Sequence, residues 1–238
     1  METNLPKHIA FILDGNRRWA KKRGLASYLG HQQGAETLKK LIETADQLGI
    51  AYLTFWGGSV SNLTERPKNE TKKLLGIYEQ YFKKLSAKKE LKEKDIRVRI
   101  LGNWRKYLPE NLQTIFSEIN KKTKNHQTYQ LTFLIAYDGR EEMKDCLSQI
   151  ANSKLKNKSL KITKQLIQKN LWTGELPEVD LVIRTGIKQD PHWSAGFMMW
   201  HCANSQFYFT KTLWPDFSVR ELKKAIRSYQ KTERRLGK

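Results

Sequence analysis

His8-Ile9-Ala10-Phe11-Ile12-Leu13-Asp14-Gly15-Asn16-Arg17-Arg18-Trp19 is the stretch on which the reading of this chain turns. Residues 9–13 are apolar without interruption and stop at Asp-Gly-Asn. A short apolar run closed by turn residues reads as a strand buried on both faces. A helix-like segment follows over 19–23 and breaks at Gly24. The same alternation continues outward. Residues 31–48 have helical periodicity, with Leu38, Leu41, Ile42 and Ala45 on one face. Residues 50–56 read as a second strand, closed by Gly57-Gly58. Pro67 opens an amphipathic helix carrying Leu74, Leu75, Ile77, Tyr78, Tyr81, Phe82 and Leu85. Further strands are predicted at 96–101, 131–136, 179–183 and 206–209. Helices are predicted at 109–122, 141–151 and 219–234, and the Lys/Asn/Ser-rich stretch 153–164 reads as a surface connection. Strands alternating with helices predict an α/β fold: a single domain over residues 1–238, with a central, mainly parallel six-stranded sheet surrounded by helices.

In open α/β sheets ligands collect beyond the carboxyl ends of the strands. Here those ends carry Asp14-Gly15-Asn16-Arg17-Arg18, Gly57-Gly58-Ser59-Val60-Ser61-Asn62, Tyr137-Asp138-Gly139-Arg140 and Arg184-Thr185-Gly186. Glycine lets backbone N–H groups approach an anion, and a helix N-terminus adds partial positive charge. Arginine presents a fork of donors that matches phosphate. Asp14 among these basic groups fits a divalent cation bridging its carboxylate to a diphosphate. Four such ends together predict an anion site, with residues 14–19, Trp19 included, as its phosphate-cradling loop. Each turn taken singly is an ordinary loop feature.

The 238 residues carry 44 Lys+Arg against 24 Asp+Glu, a formal charge of +20. Such a surface attracts nucleic acid, anionic lipid or diphosphates, and charge alone does not choose among them. Much of the excess, such as Lys83-Lys84 and Lys88-Lys89, reads as a solvated helix face. The basic residues are not interleaved with aromatics, so no specific nucleic-acid partner is expected. Cys146 and Cys202 form neither a metal pattern nor a disulfide framework, which fits a reducing cytoplasm. No apolar run is long enough to span a bilayer, although contact with a membrane surface stays open.

Residues 8–24, followed by Gly30-His31 and Gly34-Ala35, closely resemble the opening of the cis-prenyltransferases, the undecaprenyl diphosphate synthase family. The resemblance recurs at Ser59, Asn62 and Arg66-Pro67, at the strand 96–102, and at Ala136-Tyr137 with Gly139-Arg140-Glu141-Glu142. It recurs again at 179–186, at Leu213-Trp214-Pro215-Asp216-Phe217, and at the C-terminal Arg-x-Gly of Arg235 and Gly237. The resemblance implies a homodimer with a hydrophobic tunnel between the sheet and two helices. It implies condensation of isopentenyl diphosphate with an allylic diphosphate to a cis-polyprenyl diphosphate, with pyrophosphate released and Mg2+ required. By matching position, Asp14 would hold magnesium and help the allylic diphosphate leave. Gly15, Asn16, Arg17, Arg18 and His31 would bind that diphosphate. Asn62, with Ser59, would sit near the proton to be lost, and Arg66 and Arg184 would grip diphosphate groups. Arg235 and Gly237 would complete the site of a neighbouring subunit.

The chain departs from the family pattern in several places. Ser27 stands where the family has Arg. The segment 58–67 is one residue longer and lacks the family's Phe, Glu and Trp. The segment 187–197 is three residues longer, with His192 and Ser194 standing in for an Arg-x-Ser pair, or Lys188 supplying the charge instead. Gln206 replaces a magnesium-binding Glu. The half of the site for the allylic diphosphate is therefore nearly intact, and the half for isopentenyl diphosphate is remodelled. A prenyltransferase of the same fold using another acceptor, and a non-catalytic subunit that binds a prenyl diphosphate, are the alternatives this leaves.

Overall fold

The structure is a computed structural model that describes residues 4–189, 191–194 and 196–232. Six strands form one sheet: β1 (His8–Ile12), β2 (Tyr52–Gly58), β3 (Ile96–Leu101), β4 (Tyr129–Ile135), β5 (Leu181–Arg184) and β6 (Gln206–Phe209). Their order is β3-β4-β2-β1-β5-β6, and every ladder is parallel. The single α/β domain with its six-stranded sheet is as the sequence predicts, and the sheet is wholly parallel.

All of β1 is buried, because helices cover both faces of the sheet. Its side chains alternate: Ile9 and Phe11 enter one apolar cluster with Leu41, Phe55 and Trp214, while Ala10 and Ile12 enter another with Val182 and Phe197. Phe11 stacks on Phe55 with ring centroids 4.8 Å apart. From β1 the chain moves to β2 on one side. After β4 it crosses to lay β5 and β6 on the other. The gap between β1 and β5 is thus a topological switch point, and the segment after β1 opens into it.

Helices α1 (Asn16–Lys21), α2 (Ser27–Gln47), α3 (Val60–Thr64) and α4 (Lys68–Ser86) frame that crevice. Both α1 and α2 begin earlier than periodicity predicts, which places Arg17 and Arg18 in the first turn of a helix. Beyond them come α5 (Glu90–Glu93), α6 (Trp104–Tyr107), α7 (Glu110–Lys122), α8 (Gly139–Lys156), α9 (Lys164–Asn170) and α10 (Val219–Lys231). The stretch read as a surface connection is shorter than expected, since α8 runs to Lys156 and α9 starts at Lys164. Thr163 caps α9 by accepting from Leu166 N at 3.2 Å. Leu166 and Ile167 then pack on Cys146, Ile150 and Leu171. Lysines dominate the composition there and mask both signals. The Trp214-Pro215-Asp216 turn locks α1 and α2 to the sheet: Trp214 Nε1 donates to Gly34 O at 2.9 Å, and Thr37 Oγ1 to Pro215 O at 2.9 Å. Among the described residues no helix is long and apolar enough to cross a membrane.

Candidate active site

At the switch point lies a cavity of about 730 Å³. The carboxyl ends of β1, β2, β4 and β5 supply polar lining: Asp14 to Arg18, Ser59, Asn62, Asp138 and Arg184. Helices α2 and α4 and the sheet supply apolar lining, including Leu38, Leu74, Ile77, Tyr81, Phe82 and Phe133.

The loop after β1 is built by three constraints. Gly15 sits at φ 116°, a conformation that only glycine adopts cheaply, and a Cβ there would come within 2.8 Å of Leu213. Thr185 Oγ1 accepts from Asp14 N at 3.0 Å and donates to Asp14 O at 2.8 Å, tying the ends of β1 and β5 together. Trp214 N also donates to Asp14 O, at 3.0 Å. The aspartate side chain is thereby aimed at two guanidinium groups. Arg18 Nη2 lies 2.9 Å from Oδ1, and Arg184 Nη2 lies 3.5 Å from Oδ2. Arg18 also donates to Gly186 O at 2.8 Å. Gly186 has φ 72°, and a Cβ on it would stand 2.6 Å from Arg18 Nη2. Glycine there is what lets Arg18 fold back over the strand end.

A second cluster faces the first. Arg66 Nη1 donates to His31 Nε2 at 3.2 Å, which requires that nitrogen to be unprotonated. Burial, then Arg66, then Arg17 push the His31 pKa down to about 4, in agreement with that geometry. Glu70, in the first turn of α4, sits 3.3 Å from Arg17 Nε and 3.6 Å from Arg66 Nη1. Ser59 caps α3 by accepting from Asn62 N at 3.2 Å, which orients the amide of Asn62 at the cavity. Tyr78 donates to Gly57 O at 2.7 Å and anchors α4 to the end of β2.

The cavity lining contains five cationic side chains, Arg17, Arg18, Lys21, Arg66 and Arg184, and two carboxylates, Asp14 and Asp138. Arg184 is 8% exposed, so its charge is costly unless an anion answers it. Together with an apolar wall, this surplus is a receptor for a phosphorylated apolar molecule.

Of the residues singled out from the sequence, Asp14, Gly15, Asn16, Arg17, Arg18, His31, Ser59, Asn62, Arg66, Arg184 and Ser194 all line this cavity, as does Ser27. Trp19 does not. It lies on the other side of α1, where its indole donates to Asp216 at 2.7 Å and Arg23 stacks on its ring at 4.2 Å. The helical turn that aims Arg18 inward turns Trp19 away, so Trp19 holds α1 in place. His192 does not line the cavity either. Its carbonyl accepts from Arg184 Nη1 at 2.6 Å. Gln206 pairs with Leu181 at the start of β5, whereas Arg184, at the end of that strand, is the residue beside Asp14. Within one chain Gln206 therefore stands at the opposite end of the sheet from Asp14, and the two cannot share an ion. Arg235 and Gly237 lie outside the described residues. The sequence reading did not assign Lys21, Glu70 or Tyr78 to the site, whereas Asp138 stands in one of the four strand ends it named. Lys21 was accessible in principle, being one helical turn after Arg17. Tyr78 reaches the cavity through long-range packing, and Glu70, which is not in the lining, pairs with two residues that are, Arg17 and Arg66.

A sequence profile described as "Putative undecaprenyl diphosphate synthase" matches residues 12–237. The chain is 38% identical over 237 residues to an isoprenyl transferase of Fusobacterium nucleatum, covering 100% of this chain and 98% of that protein. It is 36% identical to a geranylgeranyl-diphosphate-specific tritrans,polycis-undecaprenyl-diphosphate synthase of Methanocaldococcus jannaschii, covering 99% and 84%. Its structure matches that of lavandulyl diphosphate synthase from Lavandula x intermedia, solved with dimethylallyl diphosphate. The TM-score is 0.89, the identity 34%, and the coverage 98% and 99%. Fold and site thus define an α/β transferase acting on prenyl diphosphates. The chain belongs to the cis-prenyltransferase, or undecaprenyl diphosphate synthase, family. Its reaction class is the condensation of isopentenyl diphosphate with an allylic diphosphate.

Proposed function

We propose that the chain extends an allylic diphosphate into a cis-polyprenyl diphosphate, with the allylic diphosphate held at residues 14–18 and the growing chain lying along the apolar wall of α2 and α4. The observation that supports this is the junction within one cavity of Asp14, Arg17, Arg18 and Arg184 with Leu38, Leu74, Ile77 and Phe82. Diphosphate charge meets preorganised donors, and the hydrocarbon meets a dry surface.

Ionising the allylic diphosphate builds negative charge on the leaving group. Arg17, Arg18 and the N–H groups at the start of α1 stabilise that charge where it forms. Asp14 is the carboxylate suited to Mg2+. Among the described residues no cluster of three His, Cys, Asp or Glu could hold a metal alone, and Mg2+ commonly binds through one carboxylate plus substrate phosphate oxygens. When bound there, Mg2+ would supply electrostatic stabilisation of the leaving pyrophosphate. Neutral His31 accepts from Arg66, holding that guanidinium toward the diphosphates. Asn62, oriented by Ser59, would sit near the proton lost as the new double bond forms and position that reacting centre. Arg184 and Ser194 take the diphosphate of isopentenyl diphosphate. The apolar edge formed by Trp193, Phe207 and Phe209 beside β6 supports a homodimer, in which Arg235 and Gly237 reach the neighbouring site. A cytoplasmic enzyme touching the bilayer that receives its product completes this reading.

A second reading is transfer to another acceptor. The longer 187–197 segment supports it, as does the structural likeness to an enzyme solved with dimethylallyl diphosphate. The test is incubation with labelled isopentenyl diphosphate, Mg2+ and geranyl, farnesyl or dimethylallyl diphosphate, with products sized by mass spectrometry. A ladder of products spaced by five carbons is expected. Product formed from dimethylallyl diphosphate alone would replace the first reading with the second, and no product at all would leave a binding subunit.

A further inference from the structure

A second cavity, also about 730 Å³, opens at the far edge of the sheet, where β3 meets α9 and the turn that follows it. It shares no lining residue with the active-site cavity. Three strand spacings separate β3 from β1, about 14 Å. Arg97 and Arg99 occupy alternate positions on β3 and so point to the same face. Both line the cavity, together with Lys169 of α9 and the indole of Trp172. The sole carboxylate in this lining is Glu175, which meets Arg97 at 2.7 Å and Arg99 at 3.2 Å although its side chain is 70% exposed.

Arginines on an edge strand are often no more than a device that keeps the edge soluble. Arg99 does not fit that role, because it is nine-tenths buried. One Nη donates to Gln130 Oε1, the other reaches Glu175, and Nε is buried without a partner among the described residues. Burial and the neighbouring Arg97 both work against its charge. Three cations therefore line a cavity that holds one carboxylate, and that carboxylate is water-exposed and already paired with two of them. The turn that carries Glu175 is itself tightly set: a Cβ on Gly174 would lie 2.0 Å from Gln168 O, and Gln168 Nε2 donates back to Gly174 O at 3.1 Å. The rim is also anchored to the core. Thr173 donates twice to Glu142, Tyr137 donates to the other oxygen of Glu142 at 2.5 Å, and Met198 N donates to Tyr137.

We propose that this second cavity is a binding site for a phosphate-class oxyanion, held by Arg97, Arg99 and Lys169, with Glu175 as the carboxylate that the ligand displaces. The guanidinium forks and the lysine match the tetrahedral array of acceptors on a phosphate. Inorganic phosphate or pyrophosphate and the headgroup of an anionic lipid present the same chemistry. The lipid source is in reach, since six lysines and no acidic residue lie between Asp145 and Glu175.

The test is calorimetric titration of the full-length protein with inorganic phosphate and pyrophosphate, without Mg2+ or prenyl substrate. Binding should persist in Arg17→Gln/Arg66→Gln, which disables the active-site cavity. It should weaken about tenfold or more in Arg97→Gln/Lys169→Gln, the loss of one or two charge-assisted contacts. Arg99 is left intact because it is buried, and an unchanged melting midpoint verifies folding. Glu175→Gln should tighten binding several-fold, which a merely structural ion pair would not do. In a parallel arm, the same variants are sedimented with phosphatidylglycerol or phosphatidylcholine vesicles. Arg97/Lys169-dependent binding to phosphatidylglycerol alone, without free-phosphate binding, would assign the site to a lipid headgroup. Binding of free anion that disappears in Arg17→Gln/Arg66→Gln and is untouched in Arg97→Gln/Lys169→Gln would overturn the proposal, as would weaker binding in Glu175→Gln.

Discussion

The two halves of the active site are built in different ways. The half around Asp14 is made by one continuous stretch: a buried strand, a glycine turn and the first turn of a helix deliver Asp14, Arg17 and Arg18 within five residues. The half around Arg184 is made by a loop leaning on other elements. Arg184 donates to the carbonyl of His192, Trp193 donates to Phe197 O at 2.7 Å, and Met198 N donates to Tyr137. Local geometry tolerates little insertion, because one added residue would turn Arg17 or Arg18 off the cavity. A loop tolerates three added residues if its anchors are kept. The difference explains why this chain keeps the family pattern in the first half and departs from it in the second.

Breaking the rigid half should have the largest effect. Asp14→Ala is expected to lower turnover a hundredfold or more, since a carboxylate that would hold Mg2+ at the leaving diphosphate would contribute several kcal/mol to the transition state. Asp14→Asn, which keeps the side-chain volume and frees the same arginines, should lose turnover comparably with a near-wild-type melting temperature. Turnover within about threefold of wild type would remove Asp14 from the chemistry.

The loop-built half should respond mainly in substrate affinity. Deleting residues 235–238 is expected to raise KM for isopentenyl diphosphate about tenfold or more, with little change in KM for the allylic primer. Mixing this variant with Asp14→Ala under subunit exchange should restore part of the activity. Mixed dimers that form by native mass spectrometry yet stay inactive would exclude a shared site.

Gly186→Ala tests the seam between the halves. The positive φ and the 2.6 Å approach to Arg18 predict a stability loss of about 1–3 kcal/mol in urea titration, together with weaker binding of the allylic diphosphate. A variant as stable and active as wild type would mean that Arg18 is not held there.

The smallest effect concerns pH. His31 has its pKa held down to about 4 from 6.5 by burial, Arg66 and Arg17, and burial does the same to His8 and His201. Between pH 6.5 and 4 the unfolded chain binds more protons than the folded one, so stability falls as pH drops through that window. In His31→Gln the urea midpoint should fall less steeply over the same window. A diphosphate neutralising Arg66 and Arg17 should raise the His31 pKa part of the way back toward 6.5, burial still holding it down, so that binding takes up a fraction of a proton between pH 4 and 6.5. Calorimetry in buffers of different ionisation enthalpy measures that uptake.

Much of this protein was readable in one dimension. Nine consecutive residues, 8–16, are enough for the strand, the turn and the start of the helix, because β1 is buried on both faces and Gly15 needs positive φ. The alternation of apolar runs and amphipathic helices was sufficient for a parallel α/β sheet. The short α9 was hidden by its lysines, and Glu70 by its place on an ordinary first helical turn. Trp19, by contrast, was drawn into the site by its neighbours in sequence, although helical geometry points it at Asp216.

What the sequence determined by itself is whatever depends on neighbours a few residues apart: periodicity, turn chemistry, the anion-binding loop and the family they identify. What only the tertiary structure decided is which distant groups share a space. Arg184 meets Asp14 across 170 residues because β1 and β5 pair in register, with Ile12 beside Arg184. Glu70 meets Arg17 because α4 packs against α2. Gln206 is kept from Asp14 because β6 runs parallel to β5 and starts at the other end. Such contacts follow from strand order and direction, which no local pattern encodes, and they are what turn a basic loop into a site with two halves.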